Sequence, residues 1–337
     1  MPRITQKTIA EKMGISTSLV SRALSGTAGD IGILPETVQT IQNTARELGY
    51  IPNAAARQLR GSGGPVVGVI ATDLEDPFFG PVLAEITRRS HGAGYALALA
   101  GFDHRVVEPR ELNLLLEQYL DGLLVVGGGP IPWVQPFVTR GMPIVRIGSG
   151  QAEAGVHQVA PDERQGFDLL IRHLTKEGHR NLGFLGAEVA SHLTRLTIFR
   201  TALKAAGLHL AHPHALSFGL DVMTTGLQGG ERLLAQCGDK PPSAIVCSSD
   251  TVAFGLLRVL AMSGMRVPDH ISVTGFDDLV MSQLTTPPLT TLRQPIPEMI
   301  ALALKLIGEG KPGTSSALLP MTLTQRASVS AAWSAYS

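Results

Sequence analysis

The chain has 337 residues, 44% of them hydrophobic and 17% charged, with no formal net charge at neutral pH, which is enough material for about two cored domains and excludes a disordered or strongly acidic or basic protein. No apolar run reaches the roughly 20 residues of a membrane span and the N-terminus lacks a charged-then-apolar export signal, so a cytoplasmic protein with no membrane partner is expected. Two cysteines, Cys237 and Cys247, form no metal-ligand pattern and no disulfide framework, in keeping with a reducing compartment. The charge is uneven: residues 1–62 hold seven Lys and Arg against four Asp and Glu, which makes the N-terminal end the nucleic-acid candidate.

In chain order, "TQKTIAEKM" offers Thr5 as a cap and Ile9, Ala10 and Met13 as an apolar stripe, with Gly14 as the stop. "GISTSLVSRALSG" follows as a second helix. Ser16 caps it, Leu19, Val20, Ala23 and Leu24 share one face, and Thr17, Ser18, Ser21 and Arg22 share the other, where hydroxyls and a guanidinium suit phosphates and base edges. After a loop, Pro35 opens "PETVQTIQNTARELG", with Val38, Ile41, Ala45 and Leu48 inward and Gly49 as the stop. These three short helices can share one small core as a helix-turn-helix head. "IPNAAARQLRGSGG" then reads as a short alanine-rich helix, capped by Asn53 and ending in a glycine joint. At about eight residues it is marginal alone in water, so its folding is conditional.

From Pro65 apolar runs alternate with helical patterns: "VVGVIA", "YALALAG" and "GLLVVGG", and again after Asp162 with "NLGFLG", "SAIVCSSD" and "ISVTGFDD". This is βαβ alternation, given twice, and it implies two doubly wound parallel-sheet lobes with a ligand cleft at the carboxyl ends of the strands. No phosphate-loop or dinucleotide fingerprint follows a strand. "HLAHPHA" brings His209, His212 and His214 together. Pro213 and the absence of a fourth ligand favour a solvated turn over zinc. No metal or other cofactor is expected. An enzyme acting on a sugar would have to use Asp250, Asp277 or Asp278 as acid and base, without a nucleophile elbow or metal set beside them. A catalyst would also have no use for the head, and a solute carrier would share the lobes but would need an export signal where residues 1–62 supply the head instead.

The combination of "TIAEKMGIS", "VSRAL", "ARELGYIPN" and "AAARQLRG" in the head with "GVIATDLEDPFFGPVL", "DGLLVVG", "HLTKEGHRNLGFLG", "RVPDHISVTGFDDL" and "PPLTTLRQP" in the body resembles the lactose-repressor (LacI/GalR) family of bacterial transcription regulators over nearly the whole chain. The resemblance implies an N-terminal all-α head (residues 1–50), a hinge helix and linker (51–64), and a periplasmic-binding-protein-like α/β core. That core has one lobe from 65–160 with 292–320 and a second from 161–291 with 321–337. It also implies a homodimer that represses by binding a near-palindromic double-stranded operator and is switched by a small molecule, a sugar or sugar derivative, in the cleft.

The DNA-facing set implied is Thr5, Lys7, Ser16, Thr17, Ser18, Ser21 and Arg22 in the head, with Asn53, Ala56, Arg57 and Leu59 in the hinge. Thr17, Ser18 and Arg22 match base-reading positions, and Leu59 matches the leucine that wedges a central base step open. The effector set implied is Asp76, Phe78, Phe79, Ser149, Arg195, Asp221, Ser249 and Asp277. The sequence departs from the family where Leu19 replaces a threonine, Ser25 an asparagine, Gly148 an aspartate and Ser249 an asparagine, and where Asp221 falls in place of an aromatic, so the pocket is retuned. The tail "VSAAWSAYS" has no leucine heptads, and a dimer without a tetramer-forming coil is expected. His179 in "EGHRN" reads as a structural helix-to-strand connection.

Overall fold

The computed structural model describes residues 4–25, 33–50, 64–71, 74–101, 120–210, 215–238 and 240–332. The hinge, with Asn53, Ala56, Arg57 and Leu59, lies outside these residues, as do His212 and His214 and most of the loop before Pro35. The chain divides into a compact head ending at Pro65 and a core beginning at Val66.

In the head, α1 (Gln6–Met13) starts at a reciprocal cap. The Thr8 N–H donates to Thr5 Oγ1 at 3.2 Å and the Thr5 N–H donates to Thr8 Oγ1 at 3.3 Å, satisfying two of the backbone donors that a helix start leaves open. Gly14 closes it at φ 67°, a conformation that favours glycine. The Leu19 N–H donates to Ser16 Oγ at 3.2 Å at the start of α2 (Thr17–Ser25), and Pro35 opens α3 (Pro35–Glu47). Ile9, Ala10, Val20, Ala23, Ile41 and Ala45 form the core of this trio, with Leu19, Leu24, Val38 and Leu48 packed half-buried around it.

The core holds two sheets of six strands each. The first contains β1 (Val66–Ala71), β2 (Ala96–Gly101), β3 (Gly122–Val126), β4 (Ile144–Ile147), β5 (His157–Pro161) and β11 (Ser316–Leu319), in the order β11-β5-β4-β3-β1-β2 and parallel throughout. The second contains β6 (Leu182–Gly186), β7 (Ala215–Ser217), β8 (Ala244–Cys247), β9 (Ser272–Asp277), β10 (Thr290–Arg293) and β12 (Thr322–Thr324), in the order β12-β10-β9-β8-β6-β7, with only the β10–β12 pair antiparallel. Every residue of β3 and β9 is buried, as strands covered by helices on both faces require. The longer helices are α4 (Phe79–Gly92), α5 (Glu163–Lys176), α6 (Ala190–Ala205), α7 (Gly230–Cys237), α8 (Asp250–Met262) and α9 (Ile296–Gly308). α9 returns to the first lobe, where Met299, Ile300, Ala303, Leu304 and Ile307 pack against Val67, Val69 and Val145.

The chain therefore passes between lobes three times: from β5 into α5, from β10 into α9, and from β11 into β12. No helix among the described residues is long and apolar enough to cross a membrane. His179 is buried, with Nδ1 2.9 Å from Ser243 Oγ and Nε2 3.0 Å from the Ser330 carbonyl, which ties the α5–β6 connection to the C-terminal segment.

Asp250, fully buried at the start of α8, fastens the end of β9 to its neighbours. Its Oδ2 accepts from the Leu279 N–H at 2.7 Å and the Ser282 hydroxyl at 2.5 Å, and its Oδ1 accepts from the Thr291 hydroxyl at 2.5 Å. Gly275 on β9 leaves the room for this carboxylate, since a Cβ there would overlap Asp250 Oδ1 and lie 2.9 Å from Leu289 Cδ2. Gly275→Ala is expected to lower stability by about 1–3 kcal/mol in urea unfolding. Burial pushes the Asp250 carboxyl up from its ordinary 3.8 to about 6 against the pull of its three hydrogen bonds. A raised folded value means stability that is present at low pH and lost as pH rises through this window. Asp250→Asn keeps an oxygen for Leu279 and Ser282 and an amide for Thr291, so its unfolding free energy should gain on the parent between about pH 4 and pH 6.

Candidate ligand cleft and DNA-facing helix

A cavity of about 340 Å³ opens between the lobes at the carboxyl ends of their strands, the position that open α/β sheets offer to ligands. The first lobe supplies Asp76, Phe78 and Phe79 from the turn after β1, Gly127–Gly129 and Trp133 after β3, and Gly148 and Ser149 after β4. The second supplies His192 and Arg195 from α6, Leu220, Val222, and Asp277 from the end of β9. Two of the three crossings reach the cavity as well, through Pro161 and Glu163 and through Gln294.

The glycine loops are shaped from behind. Arg146 on β4 is 2% exposed and donates through Nη2 to the Gly129 carbonyl at 3.0 Å and through Nη1 to the Gln151 carbonyl at 2.6 Å. Gly148 stands at φ 126°, and a Cβ on Gly128 would lie 2.5 Å from the Ser149 carbonyl oxygen. Backbone thus forms this wall, and the aspartate usual for the family at 148 has no counterpart there.

Arg195 is the buried cation of the site. Its Nε donates to Glu163 Oε1 at 3.1 Å, its Nη1 donates to the Ser248 carbonyl at 2.7 Å, its Nη2 lies 4.0 Å from Asp277 Oδ1, and its guanidinium carbon sits 3.7 Å above the Phe276 ring. Asp277 Oδ1 also accepts from Gln294 Nε2 at 2.6 Å. The φ of Asp277 is 111°, a region costing an L residue about 1–3 kcal/mol and found where a site dictates backbone shape. Burial, with Asp250 and Asp76 nearby, holds the Asp277 carboxyl well above the usual range despite Arg195 and Gln294.

His192 was not anticipated from sequence. Its Nδ1 accepts from the Ala187 N–H at 3.2 Å and lies 2.9 Å from Ser248 Oγ. An Nδ1 that accepts leaves the proton on Nε2, so the ring is a neutral donor, and burial and Arg195 hold its pKa well below the ordinary value.

Asp76, Phe78, Phe79, Ser149, Arg195 and Asp277 of the expected effector set line the cavity. Asp221 and Ser249 do not, which corrects that expectation. Asp221 is exposed and caps the helical turn after it, accepting from the N–H groups of Met223 and Thr224, while Ser249 is buried and accepts from the Val252 N–H at 3.3 Å as the cap of α8. Glu163, His192 and Gln294 also line the cavity. Of the carboxylates weighed as acid or base, Asp250 lies in its network away from the cavity. Asp278 pairs with Arg293 and Arg326 at 2.5 Å each, both within the second lobe's strands and C-terminal segment.

On α2, Thr17, Ser18 and Arg22 are exposed and Ser21 is half-buried. Thr5 and Ser16 use their hydroxyls as caps, and exposed Lys7 lies 3.8 Å from Glu11. Among the described residues no group of side chains could hold a metal ion.

Removing one partner from a buried ion pair strands the other charge at a cost of about 3–5 kcal/mol, whereas losing a helix cap costs about 1 kcal/mol. Urea unfolding is therefore expected to show a several-fold larger loss of stability for Glu163→Ala than for Asp221→Ala or Ser249→Ala. Equal losses would contradict the assignment of Glu163 to Arg195.

Residues 171–329 match the family model of a periplasmic binding protein-like domain. The HTH-type transcriptional repressor PurR of Pasteurella multocida is 28% identical over 312 residues, covering 90% of this chain and 91% of that protein. The ribose operon repressor of Haemophilus influenzae is 28% identical over 307 residues, covering 90% of each. The lac repressor dimer bound to operator and an anti-inducer shares the fold, with a TM-score of 0.80 and 24% identity over 98% of this chain and all of that one. These relatives are transcriptional repressors rather than enzymes. Likeness in sequence along nine-tenths of the chain, together with the fold over nearly all of it, makes this protein similar to transcriptional repressors of the kind represented by PurR, the ribose operon repressor and the lac repressor.

Proposed function

We propose that the protein is a repressor that binds a near-palindromic operator as a homodimer and is switched by a sugar-sized ligand held in the cleft around Arg195. The observation that carries this reading is the union, in one chain, of a capped helix-turn-helix exposing Thr17, Ser18 and Arg22 with a cavity lined by both lobes. The second helix of such a pair lies in the major groove, and Arg22 is the residue suited to pair bidentately with guanine O6 and N7. Thr17, Ser18 and Ser21 add shorter contacts, and Lys7 a phosphate contact.

Support for the dimer comes from the second lobe, where Met262, Val280, Met281 and Leu284 are 72%, 69%, 56% and 69% exposed. Met262 lines a shallow groove with Leu257 and Ala261, and exposed apolar side chains of this size suit a protein-binding face. The lac repressor of matching fold is a dimer on its operator. Ligand contacts to Glu163 and Gln294 at the crossings would make affinity depend on the lobe angle, and the ligand can shift the equilibrium only by its differential affinity for the two angles.

Selection of DNA from a random pool by the full-length chain tests the reading. A site with two-fold symmetry is expected, and Arg22→Ala should bind it about tenfold to a hundredfold more weakly and relax the preference for one base pair in each half. Recovery of no symmetric site, or an Arg22→Ala variant with unchanged affinity and preference, would contradict it.

A further inference from the structure

On α6, His192 and Arg195 stand one turn apart and both line the cavity. Ser248, directly after β8, holds the two together: its carbonyl accepts from Arg195 Nη1 at 2.7 Å and its Oγ lies 2.9 Å from His192 Nδ1. Arg195 also donates to Glu163, but His192 is held only from behind. The Ala187 N–H, directly after β6, donates to Nδ1 at 3.2 Å. The proton of the ring therefore sits on Nε2, and Nε2 meets no acceptor among the described residues. The ring is 3% exposed. A donor so far from water recovers its lost hydrogen bond from a group enclosed with it. An unused acceptor lines the same cavity: Glu163 takes Arg195 Nε on Oε1, while its Oε2 accepts no hydrogen bond among the described residues. The terminal torsion of a glutamate is broad, so a small rotation lets Oε2 meet a group in the cavity.

We propose that His192 is a specificity-determining residue of the cleft: its Nε2–H donates to a hydroxyl oxygen of the ligand, and Glu163 Oε2 accepts the proton of that hydroxyl or of its neighbour. The inference rests on the reading of the cleft as the ligand site and names the group that this wall reads. A hydroxyl both accepts and donates, as the two side chains together require. An ammonium group would set donor against donor at Nε2, and an ether, a ketone or a carboxylate would leave Oε2 without a donor. A site built around such a pair rejects the analogue that lacks the hydroxyl, because its own buried polar groups are then unpaired. The backbone keeps the donor in place. Moving the proton to Nδ1, or adding a second one, would break the bond from Ala187.

Calorimetry on the full-length chain tests this with glucose, galactose, mannose and ribose, followed by the monodeoxy derivatives of whichever sugar binds. In the parent protein, removal of one particular hydroxyl should weaken binding about tenfold or more. His192→Asn keeps an oxygen for the Ala187 N–H but carries no donor to the Nε2 position, and should bind the intact sugar about tenfold more weakly. His192→Gln returns a donor near that position and should recover most of the loss. In His192→Asn, removal of the same hydroxyl should then cost little more, because the two losses are one interaction. A merely structural role for His192 would weaken every derivative alike. Losses that multiply at every hydroxyl, a His192→Asn variant that binds as the parent does, or a parent indifferent to every deoxygenation would overturn the inference and leave the ligand reading standing. No binding by any of the sugars would overturn both.

Discussion

A single buried guanidinium organises the core. Arg195 reaches from α6 to the start of α5, to the carbonyl at the end of β8 and to the ring of Phe276 on β9, so three connections of the second lobe converge on one side chain. A cation removed from water must have its donors satisfied, and the groups that satisfy it are thereby held in place. Glu163 is the first residue of α5, two positions after the chain leaves β5 of the first lobe. The contact that neutralises Arg195 therefore also anchors a crossing, and anything that competes for Glu163 or Asp277 acts on the junction between the lobes.

The rest of the cleft follows from the same economy of buried polar groups. Backbone glycines form the wall of the first lobe because Arg146 holds their carbonyls from behind and side chains there would collide. His192 stays neutral because a backbone N–H occupies its Nδ1. Asp277 keeps an unfavourable backbone angle beside Gln294 and Arg195. A site with this much strain and burial has its geometry set in advance, which is how binding energy is kept for the ligand rather than consumed in ordering the protein.

Much of this was legible in the sequence where the signal is local. Thr5, Gly14, Ser16, Pro35 and Gly49 mark helix ends by chemistry that needs no tertiary partner, and the apolar runs of β1, β3, β6, β8 and β9 read as buried parallel strands. The resemblance also led to Arg195 and Asp277. Glu163 and Gln294 were not found because they reach the cleft only through the crossings, and in "APDERQG" an acid after an aspartate reads as an ordinary first-turn residue favoured by the helix dipole. Asp221 and Ser249 lie outside the cavity for a related reason: short polar side chains at the end of a strand or loop are also the preferred helix caps, and here the backbone claims them. His192 gave no signal, since a lone histidine in a helix is uninformative until its neighbours are known.

In the proposed function, occupancy of the cleft and binding of DNA are linked. Linkage is reciprocal, so one coupling factor must appear in both directions. The measurement that tests it most directly is the affinity of the full-length protein for its selected DNA with and without saturating cleft ligand, paired with the affinity for that ligand with and without DNA. Both titrations are expected to give the same factor, different from one and abolished when Arg195 is replaced. A factor of one in both would show a DNA-binding protein whose cleft does not control it.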